Sequence, residues 1–246
     1  MGIVTSATAQ GMRPAQEDRM AVVEVDGGLA LAVFDGHNGA ATAETAARLF
    51  PDAFRDSLER YGAGRACVEA TIGILREATA DRFEGSSASV VHVDERAGTA
   101  TVGVLGDSPV IVRDAAGEVV LAPVHNTGAD PDGAEAAVER GAERMGPYLV
   151  DPSTGEGVNL TRTIGDAPLR FLGRTPDVLT VDLGSSSYVV VASDGVVTPD
   201  APSRAGLVSR IERLMDEGAD AEAIVDDALA SGSDDNVTVV VWRGSG

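Results

Sequence analysis

Nine short runs rich in valine and other strand-forming residues constrain the fold of this 246-residue chain more than any other feature. They are Met20–Asp26, Leu29–Phe34, Ala88–Val93, Ala100–Leu105, Val110–Asp114, Val119–Leu121, Val178–Leu183, Tyr188–Ala192 and Val237–Trp242. Turn residues separate several neighbours, at Gly27-Gly28, Ala115-Ala116-Gly117 and Ser185-Ser186-Ser187. Because so short a connection joins antiparallel strands, these three places predict antiparallel hairpins.

Helical periodicity is found in a few separate segments. The spacing of apolar residues predicts helices over Asn38–Arg60 and Arg65–Arg82, a helix that Ser203 caps and Gly218 ends, and a helix around Ile224–Leu229 that Gly232 ends. Residues 126–157 are the least regular part, with one helical piece at Ala134–Glu143. There is no repeat and no linker, so we expect a single α+β domain over residues 1–246.

The charge balance argues against several classes of binding partner. The chain has 39 Asp and Glu against 19 basic residues, all of them arginine, for a net charge of −20. No basic patch is expected, which argues against nucleic acids and anionic membranes as partners. No run approaches the ~20 apolar residues of a membrane span, and the single cysteine, Cys67, is typical of a reducing compartment. A cytoplasmic protein is predicted, and the absence of lysine indicates a GC-rich, bacterial genome.

Acidic residues recur at the ends of the predicted strands. Asp35-Gly36-His37, Gly106-Asp107-Ser108 and Ser193-Asp194-Gly195 each follow a strand, whereas Glu17-Asp18 and Asp234-Asp235-Asn236 each precede one. Any one of these is explained by a turn, but together they predict several carboxylates at one sheet edge. Their mutual repulsion would be relieved by a hard divalent cation. Oxygen ligands favour Mg²⁺ or Mn²⁺ over zinc.

The ordered set of motifs resembles the metal-dependent protein phosphatases of type 2C. The motifs are Arg13 with Gln16-Glu17-Asp18-Arg19, Val33-Phe34-Asp35-Gly36-His37, Gly85-Ser86-Ser87-Ala88, Gly106-Asp107-Ser108, Thr161-Arg162-Thr163-Ile164-Gly165-Asp166, Ala192-Ser193-Asp194-Gly195 and Asp235-Asn236-Val237-Thr238. The resemblance runs from residue 11 to residue 241. It implies a four-layer αββα sandwich, with two antiparallel sheets flanked by helices and a metal centre at one edge. Two Mn²⁺ or Mg²⁺ ions are expected, with a third that binds more weakly.

The resemblance also implies the metal ligands, which are Glu17, Asp35, Gly36, Asp107, Asp194 and Asp235. Asp35 would bridge the two ions, Gly36 would offer its carbonyl to one, and Asp194 and Asp235 would hold the other. Glu17 would act through a bound water. Asp107 would hold the third ion together with Asp194, but Thr198 stands where many family members have a further aspartate.

Two residues are expected to act on the substrate. Arg13 would bind the phosphate through its planar guanidinium, and His37 is the candidate proton donor to the leaving oxygen. No role is assigned to His125, and Arg162 and Asp166 are expected to be structural. Residues 126–157 match the variable flap of the family, so substrate choice is expected to lie there.

The expected reaction is in-line attack of a metal-bridging hydroxide on a phosphomonoester. Phosphoserine or phosphothreonine in a protein is the first candidate substrate, and the protein is expected to be a monomer. The same metal chemistry on a small phosphomonoester in a biosynthetic pathway is a second interpretation. A regulatory binding protein without turnover is a third, and the retained Asp35, Asp194 and Asp235 argue against it.

Overall fold

The computed structural model describes residues 2–245 and contains two five-stranded antiparallel sheets. The strands are β1 Ile3–Ala9, β2 Arg19–Val25, β3 Gly28–Phe34, β4 Gly36–His37, β5 Gly85–Ser86, β6 Ala88–Asp94, β7 Thr99–Leu105, β8 Val110–Arg113, β9 Val119–Leu121, β10 Glu143–Met145, β11 Tyr148–Val150, β12 Gly157–Val158, β13 Ile164–Gly165, β14 Asp177–Asp182, β15 Tyr188–Ala192 and β16 Val237–Arg243. One large sheet has the order β14-β7-β6-β3-β2 and the other β1-β16-β15-β8-β9. Small sheets are formed by β10-β11-β12 and β13-β5-β4.

Besides a short 3-10 helix at Asp194–Val196, five α-helices complete the described part of the chain. They are α1 Ala41–Tyr61, α2 Arg65–Ala78, α3 Pro131–Glu139, α4 Arg204–Asp216 and α5 Ala221–Ala230. Ser203 caps α4 as predicted, because its side chain accepts a hydrogen bond from the Gly206 N–H. Among residues 2–245, no helix combines the length and the apolar character that crossing a bilayer requires.

Three layers of buried side chains hold the elements together. Valines of β6, β7, β15 and their neighbours fill the space between the two large sheets. Phe50 and Phe54 of α1, with Cys67 and Leu75 of α2, cover the outer face of the first sheet. Helices α4 and α5 cover the outer face of the second. The four-layer αββα sandwich is therefore confirmed, since each sheet buries one face on the other and one face on helices.

Strand direction explains why the acidic motifs meet at one edge. β3 is antiparallel to β2 and β6, and β6 is antiparallel to β7, so β3 and β7 end where β2 begins. In the second sheet β15 is antiparallel to β16, so the end of β15 lies beside the start of β16. An acid that follows one strand and an acid that precedes its antiparallel neighbour consequently lie at the same edge.

The structure corrects several of the predictions made from the sequence. Helix α2, which was predicted to reach Arg82, ends at Ala78. Ser185-Ser186-Ser187 does not close a hairpin, because β14 pairs with β7 in one sheet whereas β15 pairs with β8 and β16 in the other. The helix predicted at Ala134–Glu143 is α3, which begins earlier because Asp130 caps it and Pro131 suits the first turn. Glu143 opens β10 instead. Strand β1, which pairs with β16, was not predicted.

Candidate metal centre

A cavity of about 480 Å³ lies at the sheet edge where the acidic motifs meet. Its lining includes all eight residues that the resemblance singles out, Arg13, Glu17, Asp35, Gly36, His37, Asp107, Asp194 and Asp235. Tyr148 and Gly157 of the predicted flap form part of the wall, together with residues 158–160 that follow it. The cavity thus brings together loops from both large sheets and from the flap.

The backbone around Asp35 is held by Ser87, which lies between β5 and β6. The Asp35 N–H donates to Ser87 Oγ at 3.1 Å, and the Ser87 N–H donates to the Asp35 carbonyl at 2.9 Å. The Asp194 N–H points across from the second sheet and lies 3.3 Å from Asp35 Oδ2. Asp35 and Asp194 are therefore fixed relative to each other although they belong to different sheets.

Two glycines allow the loops to approach this closely. A Cβ on Gly36 would lie 2.6 Å from the Glu17 carbonyl oxygen, and one on Gly195 would lie 2.0 Å from the carbonyl oxygen of Asn236. Both contacts are with backbone, which cannot move aside as the end of a side chain could. Glycine is required at both positions so that the acidic loops can lie against each other.

The carboxylates carry negative charge that nothing among residues 2–245 fully compensates. Burial, followed by the charges of Asp194, Asp18 and Asp107, holds the pKa of Asp35 well above its usual range. Burial, followed by the charges of Asp107 and Asp235, raises the pKa of Asp194 to about 8. Burial also raises the pKa of Asp107, against the hydrogen bond from Asn126. Neighbouring like charges in a poorly solvated site produce these shifts, and a divalent cation would reverse them.

The residues fit a hard divalent cation by their chemistry and charge. All the candidate donors are carboxylate or carbonyl oxygens, and behind them the buried Oδ2 of Asp18 has no hydrogen-bond partner among residues 2–245. The side chains do not form a finished cage, because no three His, Cys, Asp or Glu side chains of the described chain are grouped closely enough to hold an ion. Rotation of these carboxylates towards a common point would be needed to ligate one.

Arg13 lies at the mouth of the cavity and pairs with one of the candidate ligands. Its Nη2 donates to Asp235 Oδ2 at 2.5 Å, and both side chains are partly exposed. The guanidinium therefore neutralises a carboxylate in this arrangement. Binding of a cation by Asp235 would release Arg13 towards an anionic substrate.

His37 is paired with a residue that the sequence analysis treats as structural. His37 Nε2 lies 2.9 and 3.0 Å from the two carboxylate oxygens of Asp166, which is 1% exposed. A Cβ on Gly85 would lie 2.1 Å from both His37 Nε2 and Asp166 Oδ2, so this pair requires the glycine. Nε2 is engaged by Asp166, so Nδ1 is the ring nitrogen left for the cavity.

Asn236 positions the loop that carries Arg13 and Glu17, a role that the sequence analysis misses. Its Oδ1 accepts from the Glu17 N–H at 2.8 Å. Its Nδ2 donates to the carbonyls of Gln10 and Ala15 at 2.8 and 2.9 Å. Asn236 is buried, so these bonds are partly shielded from water. The Asp-Asn pair directly before β16 was the only signal of this role in the sequence.

His125 holds the turn that carries Asp107. Its Nδ1 accepts from the Gly106 N–H at 3.2 Å, and its Nε2 lies 2.9 Å from Asp177 Oδ2. Nδ1 accepts, so the proton of the neutral ring must be on Nε2, which donates to Asp177. Burial lowers the pKa of His125 below its ordinary value of 6.5 despite that partner.

Replacing His125 by alanine is expected to destabilise the protein by about 1–3 kcal/mol at pH 7.5, since a buried N–H and a carboxylate lose their partner. The pKa of His125 is lower in the folded protein than in the unfolded chain, so the unfolded chain takes up its proton at a higher pH. Protonation therefore favours the unfolded chain as the pH falls through 6.5. The stabilisation by His125 is therefore full above pH 6.5 and is lost below it. Urea unfolding of both proteins should show a difference that shrinks between pH 7.5 and 5.5; a constant difference would contradict this role.

Thr198 does not take the place of the missing third-site aspartate. It is 1% exposed, accepts a hydrogen bond from Arg210 and donates one to Asp200. Its hydroxyl is therefore engaged away from the cavity. Asp107 is held on its other side by Asn126, whose Nδ2 donates to Asp107 Oδ2 at 3.3 Å.

Comparison with known proteins agrees with this architecture. The family model described as protein phosphatase 2C matches residues 24–237. "Probable protein phosphatase 2C 11" of Arabidopsis thaliana is 24% identical over 250 residues, covering 96% of this chain and 65% of the plant protein.

Two solved structures are similar in fold. A sex-determining protein of C. elegans superposes with a TM-score of 0.82 at 26% identity, over 98% of this chain and 64% of that one. The catalytic domain of the serine/threonine protein phosphatase PstP, solved with two manganese ions, superposes with a TM-score of 0.65 at 19% identity, over 100% and 99%. The chain spans less than two thirds of the plant and nematode proteins. Because the family model matches most of its length, the chain belongs to the protein phosphatase 2C family.

Proposed function

We propose that this protein is a metal-dependent phosphatase that hydrolyses phosphoserine or phosphothreonine in proteins, and that residues 1–246 act as one catalytic domain. The observation that carries the proposal is the cavity at the sheet edge. There the carboxylates of five separate acidic motifs meet Arg13, in a chain of the protein phosphatase 2C family. The cytoplasmic location, the bacterial origin and the monomeric state stay predictions.

Asp35, the Gly36 carbonyl, Asp194 and Asp235 would hold two Mn²⁺ or Mg²⁺ ions, with Glu17 supporting one of them. The two manganese ions of the PstP structure support this number. Bound cations would supply charge neutralisation for the phosphate and acidify the attacking water. Asp107 could hold a third ion together with Asp194, but Thr198 supplies no carboxylate there and its hydroxyl is engaged by Arg210 and Asp200.

Side chains of the cavity would bind the phosphate and protonate the leaving oxygen. Arg13 would bind two phosphate oxygens through its fork of N–H groups and so orient the ester for in-line attack. His37 would donate a proton from Nδ1 to the leaving oxygen, while Asp166 holds the opposite side of the ring. Tyr148 and the flap residues beside it would exclude water from one wall.

Hydrolysis of p-nitrophenyl phosphate by metal-stripped protein tests the proposal directly. Turnover should appear on titration with Mn²⁺ or Mg²⁺, and it should extend to phosphothreonine peptides. Turnover of small phosphomonoesters with none of the peptides would support the alternative, a biosynthetic phosphatase. If circular dichroism shows that the protein is folded and no turnover appears at any metal concentration, the result would support the third interpretation, a regulatory binding protein.

Replacing Arg13 by alanine should raise KM for phosphate esters by about tenfold or more with a smaller change in kcat, because a charge-assisted contact to the ground-state phosphate is lost. The variant should also reach half-maximal activity at a lower Mn²⁺ concentration, since Asp235 no longer has to release a guanidinium. A loss confined to kcat would contradict this role. Arg48→Ala, on the exposed face of α1, is the matched control.

Replacing His37 by glutamine should cost more with a poor leaving group than with a good one. Phosphothreonine needs its leaving oxygen protonated, whereas nitrophenolate leaves with little help. We expect a loss of about 10²-fold in kcat on a phosphothreonine peptide and a much smaller loss on p-nitrophenyl phosphate. Equal losses on the two substrates would argue that His37 has only a structural role.

A further inference from the structure

A second concave surface adjoins the metal cavity, and the reaction described above does not use it. This side groove has a volume of about 340 Å³ and shares Asp107, Asn159 and Asp194 with the cavity. Its volume is within the range of known binding pockets. A substrate whose phosphate reaches the metal cavity would therefore have its adjacent atoms at the entrance of the groove.

Apolar residues form about half of the wall of the side groove. Its larger apolar lining residues are Pro109, Leu121, Val124, Val197, Pro202 and Leu207. Val197 is 39% exposed, and Leu121 and Val124 are half-buried, so part of this surface is open to solvent. Covering it with an apolar side chain would remove that area from water, which is favourable in proportion to the area covered.

A cation lies on the same surface. Arg204 is the only basic side chain among the described residues that line the groove. It is exposed, and its Nη2 donates to the Ala122 carbonyl at 3.3 Å. Because this bond uses one N–H of the guanidinium, other N–H groups remain available to a ligand. Arg204 makes no ion pair with any residue between 2 and 245. The first turn of α4, which Arg204 begins, contains no acidic residue to oppose it.

This positive charge stands out in a chain with a net charge of −20. Most of the other arginines near acidic residues are already paired with them, as Arg13 is with Asp235 and Arg113 with Asp216. Remote surface charges are screened beyond ~8 Å at physiological salt. Asp107 and Asp194 also line the groove, where it joins the metal cavity, and bound cations would offset their charge there. An anionic group that reaches Arg204 would then be attracted locally, although the molecule as a whole is acidic.

We propose that the side groove binds the polypeptide segment next to the phosphorylated residue, with an apolar side chain against Leu121, Val124 and Val197 and an acidic side chain paired with Arg204. The occupant is thus an extended phosphopeptide of apolar and acidic character. A small phosphomonoester that fills the metal cavity has no atoms to place along this groove. The inference rests on the proposed function, because it requires a phosphoprotein substrate.

Pairs of phosphothreonine peptides test the proposal. One peptide of each pair carries leucine and glutamate beside the phosphothreonine and the other carries serine and lysine, and pairs are made for both the N-terminal and the C-terminal side. With Mn²⁺ present, kcat/KM should favour leucine and glutamate by about tenfold on one side, mainly through KM. Equal kcat/KM within both pairs would overturn the proposal.

Substitutions in the side groove test whether the groove causes the preference for leucine and glutamate. Arg204→Glu should invert the preference between glutamate and lysine on that side, and Val197→Ser should reduce the preference for leucine by about threefold. Arg48→Glu, a charge reversal on the exposed face of α1, should leave the preference unchanged. A preference that survives Arg204→Glu in protein shown to be folded would overturn the assignment.

Hydrolysis of p-nitrophenyl phosphate by the wild type separates this inference from the proposed function. Metal-dependent turnover of that ester, together with equal rates on all the phosphopeptides, would overturn the proposal that the side groove binds the peptide and leave the proposed function intact. No metal-dependent turnover of any phosphate ester would overturn the proposed function and the groove with it.

Discussion

Replacing Asp194 by asparagine is expected to reduce metal-dependent hydrolysis by at least about 10³-fold while the protein still folds. The carboxylate lies between Asp35, Asp107 and Asp235, and a neutral amide would bind a divalent cation more weakly and balance less of its charge. The backbone N–H that points to Asp35 Oδ2 is unchanged by the substitution. Activity is measured as kcat on p-nitrophenyl phosphate over a full Mn²⁺ titration, beside Asp52→Asn on the exposed face of α1.

The same variant should be more stable than the wild type when no metal is present. Burial and the charges of Asp107 and Asp235 raise the pKa of Asp194 to about 8, so its ionised form destabilises the metal-free fold. The side chain is partly exposed, and water screens part of this repulsion, so we expect a gain of about 1 kcal/mol in unfolding free energy at pH 8.5.

Urea unfolding with and without Mn²⁺ measures this gain, and the wild type should gain more from the ion than the variant. A folded Asp194→Asn protein that keeps its activity would show that the metal site has been assigned to the wrong residue. A variant that is less stable than the wild type without metal would show that Asp194 has a structural role instead.

Replacing Asn236 by alanine is expected to have the second largest effect. Three hydrogen bonds between its side chain and the segment from Gln10 to Glu17 would be lost, and that segment carries both Arg13 and Glu17. Two carbonyls and one N–H in a partly buried region would lose their partners, at a cost of about 2–4 kcal/mol. Activity should fall by about 10²-fold, because displacement of a positioned group by about 1 Å can have that effect.

Substitutions at and beside this position separate its role from that of the metal ligand next to it. Asn236→Asp keeps an acceptor for the Glu17 N–H but cannot donate to the Gln10 and Ala15 carbonyls, so it should not restore activity. Asp234→Ala, at an exposed position, should be close to wild type in activity and in urea unfolding. Wild-type stability in a folded Asn236→Ala protein would contradict the positioning role.

Most of the regular elements could be predicted from local sequence. Apolar spacing and the Ser203 cap identified α4, and runs of valine identified the strands of both large sheets except β1. Short runs that carry little periodicity were missed, such as β10, β11 and β12 in residues 143–158. Strand β1 was also missed, because it is stabilised by pairing with β16 at the far end of the chain rather than by its own residues.

The sequence by itself determined which residues are acidic, that they lie at strand ends, and that their motifs follow the order of the phosphatase family. Tertiary structure alone decided the contacts between distant segments: Arg13 with Asp235, His37 with Asp166, Gly106 with His125, and the groove beside Arg204. The hairpin expected at Ser185-Ser186-Ser187 shows the same limit, since that turn crosses between the two sheets. Local patterns report which face of an element is buried, whereas partners far apart in the chain depend on how the sheets stack.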